Sequence, residues 1–133
     1  MTNCPPVGGW PRLQLFALDC ADPLDLAAFY SRVTGFPLEP LGDFTADDVH
    51  WIELVVEGCS TLAFQKVDHY VTPTWPEGAI PQQAHLDFTV PDLDAGEAHV
   101  LGAGATKAAF QPGEDFRVYL DPAGHPFCLV KSN

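Results

Sequence analysis

One local plan occurs twice in this chain. Leu15-Phe16-Ala17-Leu18-Asp19-Cys20 is an apolar run with strand character, and Asp22 and Pro23 stand just after it, where a helix would begin. His85-Leu86-Asp87-Phe88-Thr89-Val90 is a second such run, followed by Pro91-Asp92-Leu93-Asp94. Each presumptive helix meets glycine near its end, at Gly35 and at Gly102 and Gly104, and each is followed by further strand-like runs. The repetition predicts an α+β chain of two tandem β-α-β-β-β modules, residues 13–67 and 83–131, joined by a loop over 68–82.

The local chemistry supports this division. Asp22 suits a helix N-cap, Pro23 the first helical position and Asp25 the first turn. Leu26, Phe29, Tyr30 and Val33 recur at helical spacing on one face, and Gly35 suits the stop. Residues 49–57 and Thr61–Val67 read as strands about a turn at Gly58. Pro73, Pro76 and Pro81 remove ladder donors, so 68–82 reads as a loop. In the second half, Asp92 caps a helix reaching about Leu101, and Arg117–Leu120 and Phe127–Lys131 read as strands about the turn Asp121-Pro122-Ala123-Gly124. Residues 1–11 read as an irregular arm rich in proline and glycine.

Composition excludes some partners. A net charge of −12 with only six basic residues argues against nucleic acid and against an anionic membrane surface. No apolar run approaches the ~20 residues of a spanning helix. Met1-Thr2-Asn3-Cys4-Pro5-Pro6 has neither a basic start nor an apolar signal core, so a cytoplasmic protein is expected. Cys4, Cys20, Cys59 and Cys128 form no C-x-x-C pair and are expected as free thiols. There is no nucleophile elbow, no H-E-x-x-H helix and no dinucleotide fingerprint.

Three stretches resemble the vicinal oxygen chelate superfamily, the glyoxalase and bleomycin-resistance fold: Leu18–Asp22 leading into Phe29-Tyr30 and Gly35-Phe36, His85–Asp94, and Asp121–Val130. The runs Leu62-Ala63-Phe64-Gln65 and Pro81-Gln82-Gln83 are similar to its glyoxalase-like branch. The resemblance implies that the two modules form a half-open mixed β-barrel around a pocket. It implies a homodimer, since such barrels often complete themselves against a second subunit. In the superfamily's metal enzymes, four ligands come from the first and last strands of the modules. Carried onto this chain, those positions are Leu15, Gln65, His85 and Cys128. Leu15 has no donor atom, and Cys128 stands where the Asp-Pro-x-Gly-His-x-x-Glu pattern has glutamate. No standard divalent cofactor is therefore expected. A metal, if held, would use His85, Gln65 and Cys128.

Strand alternation puts His85, Asp87 and Thr89 on one face. If that face lines the pocket, His85 is a metal ligand, an acid–base group or a hydrogen bonder to ligand. The competing reading is a structural histidine. Asp87 would orient His85 or act as a base, or else cap a turn or pair with Arg117. Cys128 is a buried apolar thiol or a pocket thiol near His85. Tyr70 and Trp75 are placed to stack on an organic ligand, or else Trp75 plugs one end of the barrel or packs on a partner subunit, and Gln83 would help to bind the ligand. Asp19 and Thr89 would rim the mouth or be solvated. The favoured function is small-molecule binding or catalysis without metal through His85 and Asp87. A metal-dependent lyase or isomerase, and a non-catalytic protein sequestering a drug or metabolite, are the alternatives.

Overall fold

The computed structural model describes residues 8, 9, 11 and 13–132. Most of the arm expected over 1–11, with Cys4, lies outside the described residues. The chain divides into two compact units, Met1–Tyr70 and Val71–Asn133.

The first unit contains β1 (Leu15–Cys20), α1 (Pro23–Thr34), a 3₁₀ turn (Ala46–Asp48), β2 (Trp51–Leu54) and β3 (Thr61–Lys66). Asp22 accepts from the Asp25 N–H at 3.2 Å, Pro23 opens the helix, and Gly35 closes it at φ 78°. The predicted apolar face is the buried one, with Leu26, Phe29 and Tyr30 almost fully covered. Tyr30 stacks on Phe64 of β3 with ring centroids 5.6 Å apart. The sheet order is β1-β3-β2, with β1 parallel to β3 and β2 antiparallel to it.

This unit departs from the expected plan in two places. The stretch between Gly35 and β2 holds the 3₁₀ turn in place of the module's first post-helix strand. Pro37 and Pro40 in it cannot donate to a ladder. The strand expected over 49–57 is limited to Trp51–Leu54. It stops there because a turn follows, in which the Cys59 N–H donates to the Val56 carbonyl at 3.0 Å and Gly58 has φ 84°.

The second unit contains β4 (Leu86–Val90), α2 (Leu93–Ala103), β5 (Thr106–Lys107), β6 (Phe116–Leu120) and β7 (Pro126–Lys131). Its order is β4-β7-β6-β5, so the first and last strands again lie side by side and parallel. Neither sheet closes into a barrel on itself. Asp92 caps α2 by accepting from the Ala95 N–H at 2.9 Å. The helix runs two residues past the expected Leu101, and the Gly104 N–H closes it on the Leu101 and Val100 carbonyls.

Two devices hold the second sheet in place. Gly96 lets α2 approach closely, since a Cβ there would lie 3.1 Å from Val90 Cγ1 and 3.2 Å from Leu129 Cδ1. On the same side, Glu97 Oε1 accepts from Lys107 Nζ (2.8 Å), the Tyr119 hydroxyl (2.9 Å) and Arg117 (3.3 Å). The hydrogen bonds from Lys107 and Tyr119 hold the Glu97 carboxyl below its ordinary pKa, while burial pushes Tyr119 up to about 12. Arg117 also pairs with Asp94, at 2.8 Å, and this clamp engages it instead of the Asp87 considered from sequence.

The turn before β7 is built on Asp121. Its carboxylate is fully covered and accepts from the Ala123 N–H, the His125 N–H (both 2.9 Å) and His125 Nδ1 (2.7 Å). The turn is thus a hydrogen-bonded knot that places β7 beside β4. Asp121→Ala would strand several buried donors and is expected to cost about 2–4 kcal/mol of stability. Urea denaturation should show a lowered midpoint, with Asp121→Asn intermediate between the two.

Candidate functional site

The two faces of the second sheet are sorted by strand alternation. Gly96, Glu97 and Asp94 of α2 engage one face through Leu129, Tyr119 and Arg117. The other face carries His85 and Asp87 at one edge, Cys128 and Val130 on β7, and Phe116 and Val118 on β6. Register brings Asp87 opposite Cys128, and Cys128 opposite Val118. This face lines a cavity of about 370 Å³. Trp75, from the loop preceding β4, packs on Ala108, Val118 and Cys128 and adds an aromatic wall.

The loop between β5 and β6 forms the rest of the rim. The Gln111 side-chain amide donates to the Ala108 and Val118 carbonyls (2.9 and 2.8 Å) and accepts from the Val118 N–H (2.9 Å). A side chain thus supplies the hydrogen bonds that a longer β5 would have made. Pro112 follows it at the cavity edge.

Asp87 is the centre of the polar groups. Its Oδ1 lies 3.1 Å from His85 Nε2, with the two side chains 55% and 44% exposed respectively. His85 Nε2 or Nδ1, an Asp87 oxygen and Cys128 Sγ all lie within 4.8 Å of one another. Burial, with the Asp87 charge and its hydrogen bond, pushes the Cys128 thiol up to about 11. At neutral pH Cys128 is therefore a protonated thiol and a poor nucleophile.

Among the described residues, these three side chains are the group close enough to hold a metal. They do not match the four-position site that the sequence resemblance implies. Leu15, half-buried in β1, is a hydrocarbon. Cys128 offers a soft sulfur whose proton Asp87 favours, in place of a carboxylate.

Of the residues expected at the site, His85, Asp87, Cys128 and Trp75 line the one cavity. Gln83 does not: it is exposed and its Nε2 donates to the Pro81 carbonyl at 3.4 Å. Its neighbour Gln82 lines the cavity instead, because the bend at Gln83 breaks the alternation that would have put Gln83 on the side of His85 and Asp87. Thr89 is exposed and outside the lining, since the cavity spans the His85–Asp87 end of β4. Gln65 and Tyr70 belong to the first unit. Gln65 is exposed on β3 opposite Asp19 and Trp51, and Tyr70 is half-buried. Sequence reasoning missed Gln82, Asp115, Phe116 and Val118. Alternation along β6 pairs the last two on one face, but only the register with β7 shows which face that is.

The cavity lies on an open mixed sheet whose first and last strands are parallel neighbours. The glyoxalase-like domain model matches residues 15–130, so the chain belongs to that family, within the vicinal oxygen chelate superfamily. Similar solved structures include a glyoxalase/bleomycin resistance protein/dioxygenase family enzyme from Burkholderia phytofirmans PsJN, with 17% identity and TM-score 0.63 over 90% of this chain and 97% of that one. The fosfomycin resistance protein FosX from Mesorhizobium loti is similar at 13% identity and TM-score 0.63, over 96% and 94%. TnmS3, an antibiotic binding protein from Streptomyces sp. CB03234, is similar at 25% identity and TM-score 0.54, over 94% and 98%. At 13% and 17% identity the likeness is one of fold. No curated protein sequence gives a significant match. Among the described residues, no helix is long and apolar enough to cross a membrane.

The state of Cys128 can be tested directly. Its raised pKa means the thiol stays protonated up to about pH 11. Alkylation of the Cys128 peptide by iodoacetamide, followed by mass spectrometry, should be slow at pH 8 and rise steeply toward pH 11. Asp87→Asn removes the adjacent negative charge, which lowers the thiol pKa and should speed the reaction at pH 8–9.

Proposed function

We propose that this chain binds a small organic molecule in the cavity of its second unit, without a divalent metal, and that the His85–Asp87 pair is the polar contact that orients it. The cavity carries this reading. Its volume of about 370 Å³ lies within the roughly 300–1,000 Å³ usual for small-molecule sites. Its wall is mostly apolar, from Trp75, Pro112, Phe116, Val118, Pro126 and Val130, with few polar groups. Such a wall gives affinity through burial, and the sparse polar groups give orientation. Fold relatives that include an antibiotic binding protein and a fosfomycin resistance protein are consistent with a scaffold that takes up small molecules.

The same pair is equipped for acid–base work. His85 is the basic group of the cavity, and Asp87, 3.1 Å from its Nε2, would stabilise the imidazolium after proton uptake. Any turnover by this chain therefore runs through His85 as base, with Asp87 as the group that positions it.

The second reading is metal-dependent lyase or isomerase chemistry. One observation favours it, the closeness of the His85, Asp87 and Cys128 ligand atoms. Elemental analysis separates the two. The expected result is no stoichiometric metal after dialysis, and one tightly held ion per chain would establish the second reading.

A ligand screen by thermal shift tests the first. His85→Ala should remove the binding of any hit while changing stability by less than about 1 kcal/mol, because the pair it breaks is half-exposed. A large loss of stability with unchanged affinity would make His85 a scaffold residue.

A further inference from the structure

We infer that the ligand of this cavity is a flat molecule that is cationic or rich in N–H donors, and that the cavity discriminates against organic anions. The inference rests on the proposed small-molecule site and names the chemical class it takes.

Three features of the wall converge on it. The first is Gln82. Its Oε1 is buried at the cavity and has no hydrogen-bond partner among the described residues. A buried acceptor left unpaired is costly, so a bound N–H or O–H donor there is favoured. The second is charge. The carboxylates in the lining are Asp87 and Asp115, and the lining contains no lysine or arginine. His85 Nε2 already lies 3.1 Å from Asp87, and the Cys128 thiol, which stays protonated beside Asp87, carries no positive charge. The polar groups left facing a ligand are thus rich in acceptors. An anion would meet two carboxylates, and the one basic side chain in the wall, His85, already lies 3.1 Å from one of them. The third is aromaticity. Trp75 and Phe116 both line the cavity, and ring faces attract flat cations as well as apolar rings. Each feature favours a different part of one ligand: a donor at Gln82, positive charge near Asp87 and Asp115, and a flat ring against the aromatic wall.

Three acridines of matched shape test this: 9-aminoacridine (cationic, with amino donors), acridine (neutral) and acridine-9-carboxylate (anionic). Each is titrated by fluorescence into the full chain at pH 8 and low salt. 9-Aminoacridine should bind at least about tenfold more tightly than the carboxylate, the scale expected for one cation beside half-screened carboxylates. Asp87→Asn with Asp115→Asn should reduce that preference to about twofold. It removes only two of the eighteen acidic residues, so a preference that survives unchanged would come from the overall charge and would overturn the inference. Gln82→Leu should weaken 9-aminoacridine by about three- to tenfold and leave acridine unaffected. Circular dichroism of each variant confirms the fold.

Equal binding of all three probes, abolished by the cavity-filling Val130→Trp, would overturn the charge inference and keep the site. No binding by 9-aminoacridine would also overturn it. The proposed site itself falls only if the wider ligand screen finds no compound of any charge whose binding Val130→Trp removes.

Discussion

The parallel pairing of β4 with β7, with Asp87 opposite Cys128, is the constraint on which the rest of the site depends. A strand turns each successive side chain to the opposite face, so one pairing register decides two surfaces together. One surface takes Phe88, Phe127 and Leu129 into the packing that includes α2, where Phe88 and Phe127 meet edge to face at 6.0 Å. The other takes His85, Asp87, Cys128 and Val130 to the cavity. A slip of one residue would bury the carboxylate under the helix and expose the core. The apolar face therefore enforces the polar one.

That register is secured away from the cavity. The Asp121 knot delivers β7 at a set position, and the absence of a side chain at Gly96 lets α2 close down on Val90 and Leu129. Glu97 gathers Lys107, Arg117 and Tyr119 on the helix side, so three different positions on β5 and β6 are tied to α2 through one carboxylate oxygen. None of these groups reaches the cavity. They hold the sheet that does.

Within the cavity one carboxylate sets the character of its neighbours. Asp87 lies 3.1 Å from His85 Nε2, and with burial it suppresses the thiolate of Cys128. The cysteine that might have served as nucleophile or soft ligand is thereby turned into a small apolar contact between Asp87 and Val118. The half-exposed imidazole stands beside a mostly apolar wall. This is the division of labour expected where burial supplies affinity and a few polar groups supply orientation.

The repeated module, both helix caps, the buried face of α1 and the turn at Asp121 were legible in the residues themselves, because each depends on neighbours within a few positions of the chain. The shared face of His85 and Asp87 was legible for the same reason, since a period of two is local. The resemblance to glyoxalase-like proteins was legible in the runs around Asp92 and Asp121. Three things came only with tertiary structure. The loss of a strand after α1 and the short β2 follow from how turns and prolines compete with a ladder, which depends on the partner strand. The choice of Gln82 over Gln83 depends on which way the chain enters β4. The wall of Phe116, Val118 and Asp115 depends on a register set between strands far apart in sequence. Local sequence determined which residues could share a face. Long-range pairing decided which faces met, because hydrogen-bonded register carries no signature in either strand alone.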